Sequence, residues 1–397
     1  MSIVRHWLSR AAPERPALIL PDGATLTFGA LARRAGRPGL NVLHGDAGTL
    51  ALGLVDCALG GGSALLLPPG LENTARDALI RNAQAASSRG LALVITTSGS
   101  TGAPKGVRLS WRAVAAGARI TARALELQPG DAWLVCLPLY FVGGAMILYR
   151  CLRAGATAVV HEGFDIKAVA RALAKRRITH ISLVPAMLKP LIDAVPPAPS
   201  LRCALIGGQA LAPALAAEAR AAGWPLRLSY GMSETCATAL VDGRPLPGVR
   251  VRLSADGALE IATPARMRGY LGEADAPEWI ATRDLARIDE DGRVTILGRA
   301  DEMLISGGVN VHPLEIEARL AACPGVQEAG VIGLPDPVWG EIIAAVYEGA
   351  ASEADVEAWC RARLPSAKRP RRFLRLPRLP RLPSGKLDRR ALRSLWS

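Results

Sequence analysis

Eleven residues in the first third of the chain carry the clearest chemical pattern: Thr96-Thr97-Ser98-Gly99-Ser100-Thr101-Gly102-Ala103-Pro104-Lys105-Gly106. Hydroxyls and glycines in succession let backbone N–H and side-chain O–H groups wrap a phosphate, and Lys105 adds a point charge. A Walker A loop needs Gly-Lys followed by Ser or Thr; here Pro104 precedes the lysine and Gly106 follows it. A plain Gly/Ser turn is the bland alternative, and it does not explain this length and order of residues. The five histidines include no H-E-x-x-H motif. The seven cysteines (Cys57, Cys136, Cys151, Cys203, Cys236, Cys323, Cys360) are odd in number and hold no C-x-x-C pair. Neither a zinc site nor a disulfide framework is expected, and a reducing cytoplasm fits best.

The phosphate loop follows Leu91–Thr96, a compact β-type run, and comes before Trp111–Leu127, which has helical spacing. It is therefore expected at a strand-to-helix joint. Around it the patterns alternate. Leu50–Leu59, Asn73–Ala86, Gly144–Ala154, Ile166–Arg176 and Pro213–Ala222 read as helices; Ala64–Leu67, Trp133–Leu137, Ala158–His161, His180–Val184 and Ala204–Ile206 read as strands. Such alternation predicts an α/β fold, with parallel-type sheets layered with helices in a large N-terminal domain. Between Gly248 and Leu297, short alternating segments with Asp-Gly turns at Asp256–Gly257 and Asp291–Gly292 predict hairpins and a small β-subdomain. Beyond Asp301, helical Pro313–Ala322, strand-like Glu328–Leu334 and helical Glu353–Leu364 read as a separate small α+β domain. The Pro/Arg-rich Pro365–Pro383 reads as a loop or linker. A chain of 397 residues suits this two-domain arrangement.

Charge is unevenly spread. From Arg361 to Ser397 there are 13 Lys or Arg and one acid, Asp388, which leaves the rest of the chain nearly neutral despite a net charge of +13. A basic tail can meet RNA, an anionic membrane, phosphate-rich small molecules or an acidic carrier protein. No aromatic-rich basic surface accompanies it, so no nucleic-acid partner is expected. The longest uncharged apolar run, Leu134–Tyr149, is interrupted by Pro138 and Gly143–Gly144 and is too short to span a bilayer. Met1–Arg15 lacks the apolar stretch of a signal peptide. Oligomeric state has no signature here.

The phosphate loop resembles that of the adenylate-forming (ANL) superfamily, which includes acyl-CoA synthetases, carrier-protein adenylation domains and firefly luciferase. Four further segments match in the family's order: Tyr230-Gly231-Met232-Ser233-Glu234-Thr235, Thr282-Arg283-Asp284, Gly298-Arg299-Ala300-Asp301-Glu302 followed by Ser306–Pro313, and Leu382-Pro383-Ser384-Gly385-Lys386-Leu387. The resemblance implies an ATP-dependent, AMP-forming ligase acting on a small carboxylic acid, with ATP, Mg2+ and coenzyme A. It assigns Thr97, Ser98, Gly99, Ser100, Thr101, Gly102 and Lys105 to the phosphates. Tyr230, Gly231 and Gly208 go to the adenine, Ser233 to the α-phosphate and Glu234 to the magnesium. Asp284 meets the ribose, with Arg299 in support, and Lys386 is the catalytic cation of adenylation. Glu234, Asp284 or Lys386 alone would be an ordinary surface charge; only their joint order lifts them. The implied domains are residues 1–299, with a shortened N-terminal part, and a mobile 302–397, turning at Asp301. Gly307 and Gly308 are expected along the path of the incoming thiol.

Within the superfamily, Leu137–Gly144, Ser182–Leu188, Leu205–Gly208 and Trp279–Asp284 resemble the o-succinylbenzoate–CoA ligases of menaquinone synthesis. That implies an acid pocket with Phe141, Gly143, Val184 and Lys189. Two departures stand out. Phe141 replaces a histidine common in relatives, and the cation expected just after Ser182–Leu188 for a second substrate carboxylate is matched only by Lys189 beside Pro190, which leaves a plain aryl acid or a medium acyl acid as a competing substrate. The alternative acceptor is the pantetheine arm of an acidic carrier protein.

Overall fold

The computed structural model describes residues 2–86, 90–98, 104–383 and 385–396, the side chain of Ser98 excepted. Its contacts divide into two units. One comprises Met1–Gly208, Ala219–Val251 and Ile261–Ile280; the other comprises Gln209–Glu218, Arg252–Glu260 and Ala281–Ser397.

The first unit holds two sheets. A nine-stranded sheet runs in the order Arg244–Pro245, Leu240–Val241, Leu226–Tyr230, Cys203–Ile206, His180–Leu183, Ala132–Val135, Thr157–Val160, Pro16–Ile19, Thr25–Thr27. Six consecutive strands, from Leu226–Tyr230 to Pro16–Ile19, are mutually parallel. A parallel sheet covered on both faces needs unbroken apolar strands. Accordingly, every residue of Cys203–Ile206 and His180–Leu183 is buried. The second sheet orders Gly269–Tyr270, Pro104–Ser110, Leu91–Ser98, Ser63–Leu66 and Leu40–Leu43. Helices start where a short oxygen-bearing side chain accepts from the third helical N–H: Asp46 from Thr49, Ser110 from Ala113 and Asp165 from Ala168.

The joint after the phosphate loop differs from the sequence reading. The phosphate loop does not lead straight into a helix. Strand Pro104–Ser110 intervenes and pairs antiparallel with Leu91–Ser98, from Leu91 opposite Ser110 to Ser98 opposite Pro104. The reason is a period of two: Val107 and Leu109 are fully buried, while Arg108 between them reaches outward to a loop carbonyl.

A four-stranded sheet occupies the stretch read as a β-subdomain, with strands Arg250–Leu253, Ala258–Ala262, Trp279–Ile288 and Val294–Arg299. Gly257 and Gly292, at the two Asp-Gly turns, have φ of 80° and 74°, which glycine adopts without strain. The second unit has its own sheet, Val309–Val311, Leu304–Ser306, Gly340–Gly349 and Val326–Asp336, with Arg372–Arg375 also paired to Gly340–Gly349. The Pro/Arg-rich segment is therefore partly strand. Its Phe373 packs on a core of Val331, Ile343, Ala345 and Tyr347, and that burial overrides the Pro/Arg composition.

Candidate functional site

In the first unit, the loop after strand Leu226–Tyr230 doubles back on itself. The Met232 N–H donates to Thr235 Oγ1 at 3.0 Å, the Ala237 N–H to the Met232 carbonyl at 3.0 Å, and the Ala239 N–H to the Tyr230 carbonyl at 2.9 Å. Gly231 is obligatory, since a Cβ there would lie 1.6 Å from the Ala237 carbonyl oxygen. Cys236 and Ala237 both take left-handed backbone conformations, φ 54° and 80°. For non-glycine residues that is strain of about 1–3 kcal/mol each, so the surrounding packing must over-determine the loop. It does: Thr235 and Cys236 are fully buried.

The loop presents Glu234 from the short turn Ser233–Thr235. The Tyr270 hydroxyl donates to Glu234 Oε1 at 2.8 Å, and the Met267 N–H donates to the Glu234 carbonyl at 2.8 Å. Lys105 Nζ lies 4.9 Å from the centre of the Tyr270 ring and 3.8 Å from Glu273 Oε1. One tyrosine thus brings together two residues singled out in the sequence, Glu234 and Lys105. Thr97 faces Lys105 across the hairpin. Gly99, Ser100, Thr101, Gly102 and the Ser98 side chain lie outside the described residues.

Gly208 follows strand Cys203–Ile206 with φ 83°, and a Cβ there would sit 3.5 Å from Val184 Cγ1. Gly207 packs likewise on Ser229, one residue before Tyr230. Phe141 precedes the helix Val142–Ala154 and meets the Tyr140 ring edge-on, centroids 4.8 Å apart. Gly143 faces Leu137, where a Cβ would have 3.7 Å of room. Lys189 is turned along its own helix and donates to Asp193 at 2.6 Å, both groups being well exposed.

Beneath this face lies a charge that sequence reading passed over. Arg150 is 1% exposed and donates to Thr238 Oγ1 at 3.1 Å, which also contacts Ser229 Oγ at 3.1 Å. Burial lowers its guanidinium to about 10. Its only local signal is position: of the two arginines in the helix Val142–Ala154, Arg150 falls between the apolar Tyr149 and Cys151, whereas Arg153 lies in the last turn. Burial also pushes the Cys236 thiol up to about 12, which marks it as an inert core group.

In the second unit, Asp284 stands on strand Trp279–Ile288 opposite Arg299. Arg299 Nη1 is 3.5 Å from Asp284 Oδ1, while Nε and Nη2 reach Asp301 at 2.8 and 2.9 Å. Arg283 adds a bond to Asp301 at 3.1 Å. Burial alone would raise the Asp301 carboxyl; the Arg299 and Arg283 guanidiniums outweigh it and hold it below its ordinary value. Arg299, read as supporting Asp284, is therefore tied most closely to Asp301, the position read as a hinge. Gly307 and Gly308 form the turn between Leu304–Ser306 and Val309–Val311, with φ 57° and 77°, as two-residue hairpins require. Lys386 is exposed, on a turn closed by Leu382 N–H to the Lys386 carbonyl at 2.8 Å. Next to it, Arg389 binds Glu317 at 2.6 Å, Glu302 at 3.1 Å and the Val331 carbonyl at 2.8 Å. That anchor looked like one more cation of the tail.

Residues 62–271 match the AMP-binding enzyme family, and residues 315–386 match the AMP-binding enzyme C-terminal domain. The 2-succinylbenzoate–CoA ligase of Bacillus velezensis is 34% identical over 334 residues, covering 77% of this chain and 69% of that protein. The structure of o-succinylbenzoate CoA synthetase from Bacillus subtilis in complex with its acyl-adenylate intermediate superimposes with a TM-score of 0.85 at 27% identity, over 99% of this chain and 98% of that one. The same enzyme in complex with ATP and magnesium ion gives 0.85 at 27% identity, over 99% of each chain. Among the described residues, no helix is long and apolar enough to cross a membrane.

Proposed function

We propose, because this chain belongs to the AMP-binding enzyme family, that it is an ATP-dependent, AMP-forming acid–CoA ligase whose acid is of the 2-succinylbenzoate type. The observation that carries the reading is the alignment of 34% identity along 77% of the chain with a 2-succinylbenzoate–CoA ligase. The ordered chemical segments from Thr96 to Leu387 support it.

Two half-reactions follow. The substrate carboxylate oxygen attacks the α-phosphorus of ATP; the bond to the β-phosphate oxygen breaks, pyrophosphate leaves, and a mixed carboxylic–phosphoric anhydride forms. The CoA thiolate then attacks the acyl carbon, the C–O bond to AMP breaks, and a thioester is released with AMP. Tyr230 stacks on the adenine, which the bare backbone at Gly207 and Gly208 approaches closely. Asp284 accepts from the ribose hydroxyls, and Ser233 donates to the α-phosphate. Thr97 and Lys105, with the neighbouring loop, hold the leaving phosphates. Lys386 places its ammonium on the charge that grows at phosphorus and the attacking carboxylate. Once adenylation is complete, the thiol needs a path of its own. The C-terminal part turns about Asp301, withdrawing Lys386 and bringing up the Gly307–Gly308 turn.

Magnesium fits the donor set. Among the described residues no three His, Cys, Asp or Glu side chains gather into a metal cage. Glu234 offers one hard carboxylate, and magnesium is held by one or two carboxylates together with substrate phosphates. When bound, the ion neutralises phosphate charge. Phe141, Gly143 and Val184 line the acid's pocket, and Lys189 must leave Asp193 if it is to meet a second carboxylate.

The test is a product assay. Protein, ATP and magnesium are incubated with 2-succinylbenzoate, benzoate or medium-chain acids, with and without CoA, and products are read by mass. A succinylbenzoyl-CoA that requires CoA supports the reading. AMP and acyl-AMP with no CoA ester would move the acceptor to a carrier protein, and turnover of benzoate alone would contradict the substrate.

A further inference from the structure

The segment from Met267 to Asp275 has no place in the chemistry above, yet it joins the two groups expected at the phosphates. At one end, the Met267 N–H holds the Glu234 carbonyl. It then pairs with the strand leaving the phosphate loop, Tyr270 opposite Val107, with the Leu271 N–H donating to the Gly106 carbonyl at 2.8 Å. Gly269, with φ 141° and only 2.3 Å for a Cβ before the Ala274 carbonyl, fixes its turn. Arg108 locks the far end through the Glu273 carbonyl at 3.0 Å and Asp275 Oδ1 at 3.2 Å. The Tyr270 ring is thus held by backbone on both sides. Its hydroxyl meets Glu234 and its face meets Lys105. A carboxylate and an ammonium therefore meet different parts of one phenol, the hydroxyl and the ring face.

We propose that Tyr270 is a positioning residue: it orients Glu234 toward magnesium–ATP through its hydroxyl and, as a spacer, keeps Lys105 available to the phosphates. The inference rests on the roles proposed above for Glu234 and Lys105. Removing the hydroxyl takes its hydrogen bond from the carboxylate; removing the ring also takes away the face that Lys105 meets.

Calorimetric titration of ATP, at a series of magnesium concentrations and in EDTA, separates these effects without reference to turnover. Tyr270→Phe should raise the magnesium concentration needed for half-maximal tightening by roughly ten- to a hundredfold, the range for a lost hydrogen bond to a charged group. Its affinity for metal-free ATP should stay unchanged, whereas general damage to the fold would weaken both. Tyr270→Ala should weaken metal-free binding as well. In a Glu234→Gln background, Tyr270→Phe should add no further loss. If Glu234→Gln shifts the magnesium requirement and Tyr270→Phe does not, the inference fails while the reading of Glu234 stands. If Glu234→Gln leaves the requirement unmoved, that reading falls, and the inference with it.

Discussion

The loop that carries Glu234 and the turn that carries Lys386 are both short and irregular, yet they are held in opposite ways. The loop is stitched from within. Gly231 has no space for a methyl group, two non-glycine residues are left-handed, and Thr235 and Cys236 are fully buried. The lysine turn faces outward, closed by backbone bonds at Leu382 and Gly385 and braced by Arg381 on the Gly385 carbonyl at 3.0 Å. Its anchors lie one step away, in Leu387 packed near Gly330 and in the buried Leu392. In the loop, structure and chemistry are inseparable, so a substitution disturbs both. In the turn, the chemical group is exposed, and what frames it is backbone bonds and the side chains of other residues, Leu387 and Leu392 among them.

Lys386→Ala is the sharpest way to break that contrast. Adenylation should fall about 100- to 1,000-fold, the range for losing one charge-stabilising group. Stability should stay within about 0.5 kcal/mol, as for an exposed side chain. Thioester formation from supplied acyl-AMP should persist; equal loss of both half-reactions in rapid-quench assays would remove Lys386 from its proposed role.

Gly231→Ala should lower ATP affinity and the unfolding midpoint together, because the 1.6 Å approach to Ala237 can be relieved only by moving the loop. The expected loss is about 1–3 kcal/mol, typical of overpacking. Weakened binding with an unchanged midpoint would show that the loop yields more easily than its packing implies.

Thiol chemistry reads the same comparison more gently. All seven cysteines are buried, and burial pushes Cys136 and Cys236 up to about 12. The reactive form is the thiolate, so iodoacetamide at pH 8 should label none in the folded protein and all seven after denaturation. Native labelling at Cys236 would mean that the loop opens. The smallest effect is expected from Glu273→Gln. The Lys105–Glu273 contact is long and exposed on both sides, so ATP affinity should change by no more than about fivefold, the limit for a surface ion pair.

The same distinction explains what could be read before the fold was known. Glu234, Asp284 and Lys386 belong to local runs whose order carries the signal, and the buried parallel strands are visible as apolar stretches. Tyr270 was silent, because its role depends on pairing with Val107, 163 residues earlier in the chain. Strand Pro104–Ser110 was hidden because its alternation is brief and sits between a Gly-rich loop and a strong helix. Arg299 was legible as a partner of Asp284, but not its closer fork onto Asp301, two residues on. Lys189 shows a local contact prevailing, an i,i+4 ion pair that turns it along the helix. Arg389 carries no local signal, and Arg150 only its position in the helix, because only packing reveals which charges are buried.

In the proposed adenylation, attack by the acid's own oxygen on the α-phosphorus is the step on which the rest depends. It is tested most directly by supplying 2-succinylbenzoate labelled with oxygen-18 in its carboxyl groups, together with ATP, magnesium and CoA, and weighing the phosphorus products. One labelled oxygen in AMP and none in pyrophosphate is the expected result. Label in inorganic phosphate, with ADP as the nucleotide product, would contradict it.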